Sequence, residues 1–135
     1  MNSNSAKLHK IMVVEDDKDI ATILQFILDE AGFDVQFCES GIEAIEKVES
    51  FLPDLILMDV MMPVMDGIQT LDQLKKIKSL SYIPVIFITA KTQEQEILYY
   101  KKVGAIDVIT KPFDVDKLEN QIKAIWNCFN EKKSR

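Results

Sequence analysis

Apolar residues follow two rhythms along this chain. Ile11 to Val14, Leu55 to Met58 and Val85 to Ile88 are unbroken apolar runs, and Val108-Ile109-Thr110 is a shorter one. Runs of this length, bounded by turn residues, read as strands buried on both faces. Phe33 to Phe37 instead alternates apolar and polar, which predicts a strand with one wetter face at a sheet edge. Between the strands the apolar residues recur at helical spacing. Ile20, Ile23, Leu24, Ile27, Leu28 and Ala31 form one stripe, stopped by Gly32. Ile45 and Val48 form a thinner one. Ile68, Leu71, Leu74 and Ile77 form the third, and Ile97, Leu98, Tyr100 and Val103 the fourth. Leu118, Ile122, Ile125 and Phe129 mark the last helix. Ser40 with Glu43, and Thr92 with Gln95, have the spacing of capping boxes, and Asp114 stands as an N-cap.

Strand and helix therefore alternate five times. That order predicts an α/β protein: a five-stranded parallel sheet with helices on both faces, joined by right-handed crossovers. The 135 residues suffice for one domain with a full core. Residues 1–9 read as a polar tail, 10–129 as the domain and 130–135 as a second tail, with no DNA-binding output domain. His9 in the first tail reads as a solvated residue.

Composition narrows the function classes. The net charge of −6 argues against a nucleic-acid surface. No apolar run reaches the ~20 residues of a membrane span. The start of the chain lacks a secretory pattern, so Cys38 and Cys128 read as reduced thiols in a cytoplasmic protein.

The chemistry lies where strands end. The first strand runs into Glu15-Asp16-Asp17, the third into Asp59, the fourth into Thr89, the fifth into Lys111. In a parallel sheet these ends share one rim, where ligands of open α/β sheets bind. No glycine-rich turn follows the first strand, so that turn suits a cation rather than a dinucleotide. Clustered carboxylates repel unless a cation neutralises them. Oxygen ligands without His or thiolate favour Mg²⁺, then Mn²⁺ or Ca²⁺. Metal, ammonium and hydroxyl together can stabilise a transferring phosphoryl group, and a carboxylate can accept it as an acyl phosphate. Asp59, ending the central strand, is the candidate nucleophile. Taken singly, each of these residues reads as a cap, a turn or a surface charge; Asp17 is read as a helix-start acid.

Val13-Val14-Glu15-Asp16-Asp17, Pro53 to Pro63, Met65-Asp66-Gly67, Thr89-Ala90 and Lys111-Pro112-Phe113 together resemble the response-regulator receiver domain of two-component signalling. The likeness runs from about Lys10 to Phe129. It implies the chemotaxis-type, flavodoxin-like doubly wound fold with strand order 2-1-3-4-5. It also implies a phosphoacceptor response regulator that catalyses only its own phosphorylation and dephosphorylation. Asp59 would take the phosphoryl group. Asp16 would bind Mg²⁺ directly, Glu15 through water, and the Met61 backbone carbonyl would complete the ligands. Lys111 would pair with Asp59 and then with phosphoryl oxygens, and Thr89 would carry the switch. Lys111-Pro112 would be a cis peptide. The implied partners are a sensor histidine kinase or histidine phosphotransfer protein and a downstream protein, with no nucleic acid and no membrane; the chain would be a monomer or weak homodimer.

Val108 departs from this pattern, because the family usually has Tyr or Phe there. Val has no ring to swing, so any switch would run through Thr89 and the fourth helix. Two other classes fit less well. A Mg²⁺-dependent phosphatase with an Asp nucleophile needs an acid two residues later, where Met61 stands. A non-phosphorylated interaction module would normally have lost an acid or the Lys.

Overall fold

The computed structural model describes residues 7–133. Five strands, β1 (Lys10–Val14), β2 (Asp34–Cys38), β3 (Leu55–Asp59), β4 (Val85–Thr89) and β5 (Asp107–Thr110), form one parallel sheet in the order β2-β1-β3-β4-β5. Order and direction are those expected, with the alternating strand at an edge. β3 and β4 are buried along their whole length, as their unbroken apolar runs require.

The pleat divides the core in two. Met12, Val14, Ile56, Met58, Val85 and Phe87 face one way, toward α2 (Gly41–Phe51), α3 (Gly67–Lys75) and α4 (Glu94–Val103). Ile11, Val13, Leu55, Leu57, Ile86 and Ile88 face the other, toward α1 (Lys18–Glu30) and α5 (Leu118–Lys133). Each fully buried aliphatic side chain contributes about 1.5–3 kcal/mol of transfer free energy, so this double layer fixes the strand register.

Several helix details differ from expectation. Ile23 and Leu98 are exposed rather than facing the core, whereas Trp126 is buried in the cluster under α1 and α5. α3 stops at Lys75, and Ile77 turns extended before a short 3₁₀ turn, Lys78–Leu80, that buries Leu80. α4 is capped at Gln93, one residue past the expected position. Its N–H donates to the Glu96 carboxylate at 3.0 Å, a stronger acceptor than the neutral Gln95 amide. At α2, Ser40 Oγ accepts the Glu43 N–H at 3.1 Å, but Glu43 reaches back to the Glu39 N–H instead of that of Ser40. Asp114 caps the turn that leads into α5 rather than the helix itself, which begins at Leu118: its carboxylate accepts the Asp116 N–H at 2.9 Å. α5 continues through residues expected in the second tail, and Asn130 Nδ2 donates to the Trp126 carbonyl.

Two contacts finish the sheet. Asp54 Oδ2 accepts the N–H groups of His9 and Lys10, fastening the start of β1. On the β2 edge, Gln36 Nε2 donates to the Phe37 carbonyl at 2.9 Å.

Candidate functional site

All five strands run parallel, so their carboxyl ends share one rim, and Asp59 ends β3 in its middle. The backbone around it is tightly packed. Gly67 N–H donates to the Val60 carbonyl at 2.8 Å, and a Cβ on Gly67 would stand 2.5 Å from the Asp59 carbonyl oxygen. Only a residue without a side chain permits that approach. Asp66 caps α3 at the same point, in a reciprocal box with Gln69. The β3–α3 loop is tight as well. Met65 N–H donates back to the Pro63 carbonyl at 2.8 Å, which puts Val64 at φ +70° with 93% of its surface exposed.

Glu15 follows β1 and is 2% exposed; Asp59 is 4% exposed; Asp16 is open to solvent. One carboxylate oxygen from each of the three lies within 4.8 Å of the others. Lys111, just beyond β5, reaches into the group. Its Nζ is 3.0 Å from Glu15 Oε1 and 3.1 Å from Asp59 Oδ1. The contact with Asp59 is a hydrogen bond, but that with Glu15 is poorly angled, and the buried Oε1 has no hydrogen-bond partner. Glu15 Oε2 accepts the Asp17 N–H at 3.2 Å. Asp17 itself caps α1, accepting from Asp19 and Ile20. Lys111-Pro112 is cis.

The electrostatics show a shortage of positive charge. Burial pushes the Glu15 carboxyl up to about 7, helped by the Asp59 charge and opposed by Lys111. Burial also raises Asp59, against the pull of Lys111. Burial would lower Lys111, yet its contacts with Glu15 and Asp59 outweigh this and raise it. One ammonium is shared between two buried carboxylates, with a third nearby. A buried carboxylate oxygen without a hydrogen bond, in a cluster of oxygen donors that share one ammonium, fits a hard divalent cation such as Mg²⁺.

The remaining expected residues sit around this pocket. Met61 is 59% exposed, and its N–H lies 3.4 Å from Asp59 Oδ1. Thr89 ends β4 and is 1% exposed. Its hydroxyl oxygen accepts the Lys91 N–H at 3.1 Å, and no hydrogen bond joins it to Asp59 among the described residues. Gly67 belongs to a segment that carries the resemblance, but its contact with the Asp59 carbonyl was not anticipated, and neither was the α3 box, although Asp66 three residues before Gln69 carried the signal.

A doubly wound sheet with an acidic, lysine-bridged pocket at the carboxyl end of its central strand defines a class of signalling domain. Residues 11–123 match the model of the response regulator receiver domain, and the chain belongs to that family. Over 116 residues the chain is 40% identical to the alkaline phosphatase synthesis transcriptional regulatory protein PhoP of Bacillus subtilis, covering 86% of this chain and 48% of that protein. It thus spans about half the length of the curated relatives it matches. The chemotaxis protein CheY4 of Vibrio cholerae superposes with a TM-score of 0.82 at 27% identity, covering 88% of this chain and 99% of that one. The receiver domain of the Francisella response regulator 1452 gives 0.79 at 31%, covering 94% and 99%. Receiver domains are signalling modules of two-component systems rather than turnover enzymes. No described helix is long and apolar enough to cross a membrane.

Proposed function

We propose that this chain is a phosphorylation-driven switch in which Asp59 accepts a phosphoryl group from a partner's phosphohistidine. The observation that carries this reading is the pocket itself: three carboxylates within 4.8 Å, with Lys111 bridging the two buried ones. Asp59 is nearly enclosed yet lies beside exposed Asp16, so a phosphoryl group can approach from the open side.

Ionised Asp59 attacks phosphorus in line. An O–P bond forms as the donor's N–P bond breaks, and the bonding pair returns to the imidazole nitrogen. Lys111 holds Asp59 oriented beforehand and meets the phosphoryl oxygens as charge moves onto them. Asp16, Asp59 and the Met61 carbonyl would hold Mg²⁺, with Glu15 acting through water. Bound there, the ion supplies positive charge to the transferring group. Thr89 then donates its hydroxyl hydrogen to a phosphoryl oxygen, which moves the β4–α4 loop. A histidine kinase or phosphotransfer protein is the donor, and a protein partner reads the face of α4, β5 and α5.

Exposure to acetyl phosphate and Mg²⁺, read by intact mass, tests this. The wild type gains one phosphoryl group, and Asp59→Asn gains none. Equal labelling of the variant refutes the assignment.

A further inference from the structure

α4 is held differently from the other helices. α1, α2 and α3 each bury at least three residues; among the described residues α4 buries one, Tyr100. That side chain, 5% exposed, meets the fully buried Phe87 of β4 edge-on, with ring centroids 5.6 Å apart and planes at 85°. Offset and edge-on pairs are the favoured aromatic geometry, and their strength depends on keeping that angle. Phe87 lies two residues before Thr89 on the same strand, and side chains two apart share a sheet face. Across the sheet from Phe87 stands Val108, a small branched residue in the same cluster. On the outer side of Tyr100, the half-exposed Tyr99 ring lies 6.4 Å away.

We propose that the Phe87–Tyr100 edge contact is the mechanical tie between the pocket and α4 in this chain. A displacement of Thr89 and of the end of β4 tilts Phe87. The ring pair then carries that movement to the one buried anchor of α4, and Tyr99 brings it to the surface. Tyr100 is thus a positioning residue, outside the reacting group. This inference rests on the phosphoacceptor reading of Asp59.

The test compares wild type, Tyr100→Phe and Tyr100→Leu before and after treatment with acetyl phosphate and Mg²⁺. Intact mass reads labelling, and hydrogen exchange reads the amides of 94–103, with α1 amides as an internal folding control. Wild type and Tyr100→Phe should label equally and show an α4 exchange change of about three- to tenfold, the scale of one aromatic contact. Tyr100→Leu should label to the same extent and keep α1 protection, yet show no exchange change in α4 on labelling. Tyr100→Phe separates the ring from the hydroxyl: loss of the response there overturns the assignment to the edge contact. An undiminished α4 response in Tyr100→Leu overturns the tie itself, as does a labelled wild type whose α4 stays unchanged. A wild type that does not label overturns the phosphoacceptor reading and this inference with it.

Discussion

Replacing Glu15 with Gln should stabilise the metal-free protein at pH 8 and do nothing at pH 4. Glu15 is 2% exposed, and its carboxyl is pushed from 4.5 up to about 7. Each tenfold in an acid constant is worth ~1.4 kcal/mol, so that displacement corresponds to about 3 kcal/mol. Rearrangement of Lys111 and water entry reduce this to about 2 kcal/mol. The sign follows from linkage. The folded value lies above the unfolded one, so the favourable contribution of Glu15 is whole below pH 4.5 and is lost as pH rises through 7. Gln has no such dependence, and its amide oxygen can still accept the Asp17 N–H. The advantage of the variant therefore opens between pH 4.5 and 7 and is complete above 7. For a chain of this size it should raise Tm by roughly 6–10 °C in chelator at pH 8. Saturating Mg²⁺ should reverse the ranking, since a hundredfold excess over Kd adds about 2.7 kcal/mol to the form that binds it. Thermal melts at four pH values, with chelator and with Mg²⁺, measure all of this. A variant that is less stable at pH 8 in chelator, or whose advantage is the same at every pH, would refute the reasoning.

Gly67→Ala should cost about 1–3 kcal/mol, because the new Cβ would meet the backbone of Asp59 and Val60 at 2.5 and 2.9 Å, where nothing can swing aside. A urea midpoint equal to wild type would contradict the contact. Val64→Asn should raise stability by about 0.5–1 kcal/mol, since Asn tolerates the positive φ that a β-branched residue resists; an unchanged or lowered midpoint counts against it. Met61→Asn should shorten the life of the acyl phosphate, because Met61 and Lys91 flank Asp59 and Thr89 without a group to orient water. Timed loss of label from variant and wild type decides, and equal lifetimes dismiss the idea.

Much of this was legible in the chain. Continuous apolar runs marked the buried strands, and the alternation of Phe33 to Phe37 put β2 at an edge, because burial on one or two faces writes itself into period. The pocket was legible because its residues end different strands. What stayed hidden depends on distance and competition. Nothing in the order of residues says that Gly67 lies against the Asp59 carbonyl. The α4 cap moved to Gln93 because two acceptors one residue apart compete, and charge wins. Tyr100 and Leu98 both fit a helical stripe, yet only Tyr100 found a ring to pack against.

The bond from Gln36 to the Phe37 carbonyl also occupies part of the outer border of the sheet. Asp34 and Cys38 spend their main-chain groups on β1, which leaves Val35 and Phe37 as the residues whose backbone looks outward. One of those few outward acceptors is already capped from within. An incoming strand would have to strip off that amide to gain a two-residue ladder, so this border is poor ground for sheet extension.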